Sequence, residues 1–427
     1  MSAQMIIVLC ILAFMVVMLL THKLPYGVTA MICCVMFVLT GVADLKTAFS
    51  GLSSSTTLMV APMIVVASAI GKTSLIHRLR SVMGRLQGKN GIVMVLALCL
   101  LTIALSQLMG QVACISVMLL FIQTLDDDSD LSPARMLFLV ATINCLATSK
   151  IPIGMGATMP GTINSYYEGM VGPESLLSIT DFFKAGILPL IAGTIYCIVF
   201  YKMIPNGSID KSQVKEVKEQ APISKKDEIV IFAVFAAIMA GFMFTKQLGS
   251  DITNVLPAAG VLVFILFNVI PLKEIMATLT GDIVWMIAGM SVISTVLGQT
   301  GVGELIGQTV LKILGGNPSG LMVTIVFCVT CTIMTNFLSN MGTMALMSPI
   351  AAATALAGGM NVQAVVLTCC VSAWFAFVMP TGCSGAIMAF GIGNHNAFKL
   401  MKFTLPLALV VMTALIIGIN IFFPIYG

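Results

Sequence analysis

Apolar runs of membrane-crossing length recur along this chain, and they limit its possible folds more than any other feature. The first is MIIVLCILAFMVVMLL, Met5 to Leu20, and further spans are predicted at about Tyr26–Leu39, Thr56–Ile70, Leu131–Met170, Phe182–Tyr201, Ile229–Thr245, Ile252–Ile270, Ile283–Leu297, Val362–Phe390 and Leu400–Phe423. Crossing about 30 Å of hydrocarbon takes roughly 17–25 residues of helix. Lipid offers no hydrogen-bond partners to a bare backbone, so runs of this kind must be helical. Only 9% of the residues are charged and the mean hydropathy is +1.07, against about 25% charged in a soluble domain. The chain is therefore expected to be an all-α polytopic membrane protein. The net charge of +4 is spread over loops, which suits anionic lipid head groups and not nucleic acid. The basic residues near the N-terminus follow the first apolar run instead of preceding it, which predicts a retained span and not a cleaved signal.

The polar stretch IPNGSIDKSQVKEVKEQAPISKKDE divides the chain into residues 1–203, a linker at 204–227, and residues 228–427. Two apolar segments, Gly91–Leu125 and Leu321–Leu356, are interrupted at mid-length by QLMGQ and TNFLSNMG. Their short arms predict re-entrant helical hairpins. Two other segments, 131–170 and 362–390, carry proline and glycine at mid-length and are predicted to be broken helices. The landmarks recur at nearly constant separation: IGKT with LGQT at 227 residues, SQLMGQ with TNFLSN at 229, and IPIG with MPTG at 228. Repeats with interrupted helices at matching positions point to a secondary transporter. The first copy is followed by Lys72, Arg78, Arg80, Arg85 and Lys89, and the second by Lys312 alone with Glu304. Basic loops stay in the cytoplasm, so the two halves are expected to be inverted repeats with both termini outside the cell membrane.

Several motifs argue against other chemistries. Gly71-Lys72-Thr73 resembles the end of a phosphate loop, but Val66 stands where the first glycine is needed and the repeat has Gln299 for the lysine. Cys328 and Cys331 have metal-ligand spacing inside an apolar run, where small apolar side chains are the simpler reading. No nucleophile–base pair or acidic pair stands at mid-membrane, so no enzymatic activity is expected. Pro152 and Pro380 each remove a backbone donor, and neighbouring glycines permit unwound backbone. Unwound ends at membrane depth suit ions and anionic groups.

These residues resemble the divalent anion/sodium symporters, which include bacterial dicarboxylate transporters and animal citrate and sulfate carriers. TNFLSNMGTMALMSP, Thr335 to Pro349, is similar to that family's hairpin tip; MPTGCSGA, Met379 to Ala386, to its LP-x-GTPPNA break; and THKLPYGVTAMI to its TEAIPLPVTALL. The resemblance covers nearly the whole chain and implies a homodimeric carrier holding a carboxylate or sulfate between two sodium sites. Carried over by position, the substrate-binding candidates are Gly110, Gln111, Val112, Ser149, Lys150 and Gly154, then Ser339, Asn340, Thr343, Thr381, Gly382 and Cys383. Sodium as a coupling ion would fall at Ser339, Asn340, Thr343 and Gly382. The first tip departs from the family: Gly110-Gln111-Val112 replaces Ser-Asn-Thr.

Lys150 is the charge in the middle of the first break, and its repeat counterpart is Val378. An ammonium at membrane depth costs on the order of 2.5–3.5 kcal/mol on insertion scales and calls for a partner. The expectation is that Lys150 supplies a fixed positive charge where relatives bind sodium, making the protein a sodium-independent exchanger of di- or tricarboxylates. Two alternatives stand beside it: a sodium-coupled symporter using only the second-half site, and a ligand-binding membrane sensor. His395, Glu168 and Asp282 are expected near span ends, within reach of water.

Overall fold

A computed structural model describes residues 2–21, 23–74, 91–123, 125, 130–209 and 223–426. The basic loop residues Arg78, Arg80, Arg85 and Lys89 lie outside the described residues, as does the middle of the polar linker. The described residues form helices and connecting turns with no strand. Helices of seven or more residues run as follows. The first half has α1 (Ala3–Thr21), α2 (Tyr26–Leu39), α3 (Ser55–Ile70), α4 (Gly91–Leu108), α5 (Gln111–Ile122), α6 (Pro133–Ala147), α7 (Met159–Ser165) and α8 (Asp181–Phe200). The second has α9 (Lys225–Met243), α10 (Ser250–Leu266), α11 (Leu272–Leu279), α12 (Asp282–Thr300), α13 (Val302–Ile313), α14 (Gly320–Thr335), α15 (Asn340–Ala357), α16 (Val362–Ser372), α17 (Ser384–Ile392) and α18 (Ala397–Phe422).

The interrupted segments fold as helix–turn–helix pairs, α4 with α5 and α14 with α15. Their turns need only the residues between Leu108 and Gln111 and between Thr335 and Asn340. Ser339 caps α15 by accepting the Gly342 N–H at 3.0 Å, whereas Gly110 caps α5 with no side chain. The arms are uneven: α4 has 18 residues and α5 has 12. Two helices outside the predicted spans, α11 and α13, are short and two-faced; Lys273, Glu274, Glu304 and Lys312 interrupt their apolar runs.

Close approach of small residues sets the packing, as expected where lipid removes the usual drive to bury apolar surface. A β-carbon on Gly289 of α12 would lie 2.6 Å from that of Ala30 on α2. On the next face of α12, Ser291, Ser294, Thr295 and Gly298 meet the turn after α7. Glu168 accepts hydrogen bonds there from Thr56 and Ser291, and Gly169 donates to Ser294 at 3.1 Å. Glu168 is thus engaged by two hydroxyls. Every residue of α6 is buried. Arg135 near its start donates to the carbonyls of Ile204 and Lys202 just beyond α8 and of Asp130 just before α6, satisfying backbone acceptors at both places. His395 donates from Nε2 to the Ala134 carbonyl at 2.9 Å, and burial pushes this imidazole below its ordinary value, so it is neutral at pH 7. A second, smaller apolar core joins α3, α9, α10 and α11. At its edge Lys72 pairs with Glu274, which ties the end of α3 to α11.

Both predicted breaks are present. The first runs from Ala147 to Met159 and contains Ser149 at φ +57° and Gly154 at φ +58°. The left-handed region costs a non-glycine residue about 1–2 kcal/mol, so Ser149 is held there by its surroundings. Gly154 has a second constraint, since an added β-carbon would stand 2.4 Å from the Gln107 carbonyl oxygen. Gly154→Ala is therefore expected to push the break off the hairpin and lower the melting temperature of the purified protein. An unchanged melting curve would contradict that reading of the junction.

Candidate substrate and ion site

Two side-chain amides hold the breaks. In the first half Gln107, at the end of α4, donates from Nε2 to the carbonyls of Ile103 (2.9 Å) and Ala147 (2.8 Å) and accepts the Ile151 N–H at 3.1 Å. In the second half Asn336 does the same work. It donates to the carbonyls of Thr332 (2.8 Å) and Phe375 (3.1 Å) and accepts the N–H groups of Val378 (2.9 Å) and Met379 (3.0 Å). Each amide bridges a hairpin turn to the unwound backbone of the next helix, satisfying groups that would otherwise be orphaned in an apolar interior. Both residues lie inside the repeated motifs, one position after Ser106 and Thr335. Only their partners, some forty residues downstream, reveal their role.

Around the second tip the predicted residues come together. Asn340 Oδ1 lies 3.0 Å from the Thr335 hydroxyl, which is also 2.5 Å from the Ala373 carbonyl. Thr381 donates to the Asn336 carbonyl at 2.7 Å. Gly382 is buried with its Cα face against Ala376. Thr343 Oγ1 is fully buried with no hydrogen-bond partner among the described residues. Ser339 Oγ is 2.5 Å from the hydroxyl of Tyr26 on α2, a contact between the two halves that the sequence did not disclose. Thr343 Oγ1 is thus the one of these hydroxyls that no described residue engages.

The first-half candidates divide into three places. Ser149 and Gly154 lie in the break beside Gln107. Gly110 is exposed and Val112 is 47% exposed, so this tip offers no oxygen cluster. Gln111 turns toward the second half, with Oε1 accepting from Ser384 at 3.3 Å and Nε2 directed at Cys145 Sγ at 3.8 Å. Cys383, the N-cap of α17, meets the same cysteine.

The Lys150 backbone is in the break, and its side chain runs across Gly186 of α8. Nζ ends 4.6 Å from the centre of the Phe182 ring and 5.0 Å from that of Trp374. It is 1% exposed and has no hydrogen-bond partner among the described residues. The ring faces would supply some cation–π attraction to an ammonium there, and among the described residues no carboxylate pairs with Nζ. Trp374 Nε1 and Tyr166 Oη are also buried with no hydrogen-bond partner among the described residues. The tip-to-break junction beside Lys150 is occupied by the Gln107 amide, which explains why the ammonium does not stand there.

An all-helical chain with paired hairpins, two helices broken at depth and polar groups gathered at the breaks is an integral membrane transporter. The sequence matches the profile described as "Sodium:sulfate symporter transmembrane region" over residues 1–426, and the chain belongs to that family. It is 23% identical to an uncharacterized transporter of Haemophilus influenzae, over 95% of this chain and 90% of the relative. It is 25% identical to the uncharacterized transporter YfbS of Escherichia coli, over 49% of this chain and 33% of the relative. Among solved structures, the YdaH transporter of Alcanivorax borkumensis aligns with a TM-score of 0.61 at 13% identity, covering 91% of this chain and 88% of that one. MtrF of Neisseria gonorrhoeae, described with a class of antimetabolite efflux pumps, aligns at 0.59 and 15% identity, covering 92% and 85%. At these identities the structural likeness concerns the fold.

Removing one amide tests whether it organises the site. Asn336→Ala leaves the Phe375 carbonyl and the Val378 and Met379 N–H groups without their partner, at about 1–3 kcal/mol each. Asn336→Asp restores the acceptor alone. Purified Asn336→Ala is expected to melt well below the wild type with Asn336→Asp between them, and equal melting of all three would contradict the bridging role.

Proposed function

We propose that the protein is a secondary carrier of small organic anions, a di- or tricarboxylate ahead of sulfate, which it moves across the cell membrane by alternating access. The observation that carries this reading is Lys150 Nζ, buried with no hydrogen-bond partner among the described residues, a group that an anionic ligand would hold in its charged form. Leaving such a group without a partner is costly, more so for a charge than for a neutral donor. Among the described residues, the buried groups without partners include Lys150 Nζ, the Trp374 indole N–H and the Tyr166 hydroxyl, which can donate, and Asn144 Oδ1, which can only accept. The donors outnumber this acceptor, which favours a ligand rich in acceptors. A carboxylate supplies acceptor oxygens and the missing negative charge together.

A fixed charge on Lys150 also does part of the work of a coupling cation, which favours exchange of one anion for another without sodium. The second reading, sodium-coupled symport through the second tip alone, is favoured by the uncommitted Thr343 oxygen. In either case a homodimer in the cell membrane with inverted halves is the assembly we propose, in keeping with the charge distribution and the resemblance.

Reconstituted protein separates these readings. Labelled succinate is expected to enter proteoliposomes preloaded with unlabelled succinate, with or without a sodium gradient, and not to enter empty ones. Lys150→Met, which keeps length without charge, is expected to reduce kcat/KM for exchange at least about tenfold, or ~1.4 kcal/mol. Unchanged exchange in that variant would remove Lys150 from the site. Sodium-driven uptake into empty vesicles, lost in Thr343→Val, would replace the exchanger with the symporter.

A further inference from the structure

Cys145 and Cys383 belong to opposite halves of the chain, 238 residues apart, yet their sulfurs are 3.0 Å from each other. A disulfide needs about 2.05 Å, so a closing movement of about 1 Å would join them. The neighbourhood already holds both sulfurs toward one point. Cys383 Sγ accepts the Ala386 N–H at 3.3 Å at the start of α17 and donates to the Ala376 carbonyl at 3.5 Å; Cys145 Sγ lies 4.0 Å from the same carbonyl. Gln111 Nε2 points at Cys145 Sγ at 3.8 Å, and its Oε1 accepts from the hydroxyl of the exposed Ser384, the residue after Cys383. Cys383 is among the substrate-binding candidates that the family resemblance implies, and Cys145 is not.

We propose that Cys145 and Cys383 are a modification site, a dithiol that two-electron thiol oxidants convert to a disulfide. With an azodicarboxamide such as diamide the chemistry balances as follows. The Cys383 sulfur, which has the helix N-terminal N–H beside it, attacks one azo nitrogen and forms an S–N bond while the other nitrogen takes a proton. The Cys145 sulfur then attacks Cys383 Sγ, the S–N bond breaks, and the second proton goes to the departing nitrogen. Two thiols lose two electrons and two protons, and the azo compound becomes the hydrazine. The product ties α6 of the first half to the break that precedes α17 in the second. Any transport step that moves these elements apart is then blocked until a dithiol reductant reopens the bond.

The covalent part of the proposal is independent of the substrate, so its failure is distinguishable from failure of the carrier reading. Purified full-length protein in lipid nanodiscs would be treated with diamide, alkylated, digested and analysed by mass spectrometry. The expected result is a Cys145–Cys383 linked peptide that dithiothreitol removes and that neither Cys145→Ser nor Cys383→Ser yields. No linked peptide, or pairing of either cysteine with a different partner, would overturn the site. In proteoliposomes, diamide is expected to lower wild-type succinate exchange about tenfold, reversibly, while Cys145→Ser keeps its own untreated rate. Equal inhibition of that variant, or a fully linked wild type that still exchanges, would overturn the lock.

Discussion

The architecture depends on one repeated interaction, a side-chain amide at a hairpin turn that binds the unwound backbone of the following broken helix. A break at membrane depth frees carbonyl and N–H groups that lipid cannot satisfy. Gln107 makes two hydrogen bonds and Asn336 three to groups of the breaks, and in doing so they fix each turn against each break. An amide suits this task because it donates and accepts at once without carrying charge. A carboxylate or an ammonium in the same position would offer only one of the two functions and would add a desolvation cost.

Once the breaks are held in this way, other features follow. Gly154 is required by the approach of the Gln107 carbonyl, and Ser149 is kept in an unfavourable conformation by the same junction. With the amide in the junction, the Lys150 side chain is displaced toward α8 and the segment after α16, where Phe182 and Trp374 flank it. The two halves differ most at this point. The second tip keeps a cluster of hydroxyl and amide oxygens, whereas the first has lost them and turns Gln111 to the opposite half.

Much of the fold was legible in the sequence because the membrane makes long apolar runs unambiguous, and because proline and glycine mark breaks by what they do to backbone geometry. The hairpin turns and both breaks fall inside the predicted segments. Helices α11 and α13 were not legible, since their charged faces divide the apolar run that a hydropathy reading looks for. The site was legible only in part. Sequence identified Lys150 as anomalous, but its flanking rings come from elsewhere in the chain and from both halves, and no local pattern announces them. The same holds for Tyr26 against Ser339 and for Gln111 against Ser384, which are contacts between halves. Gln107 and Asn336 lay within the quoted motifs, and a polar residue at depth signals only that a partner exists.

The most direct test of the account is an experimental structure of the protein in lipid with succinate bound. The account predicts ligand density in contact with Lys150 Nζ and close to Trp374, with Gln107 and Asn336 still bound to the two breaks. Density confined to the second hairpin tip, with the Lys150 ammonium still enclosed by Phe182 and Trp374, would contradict it.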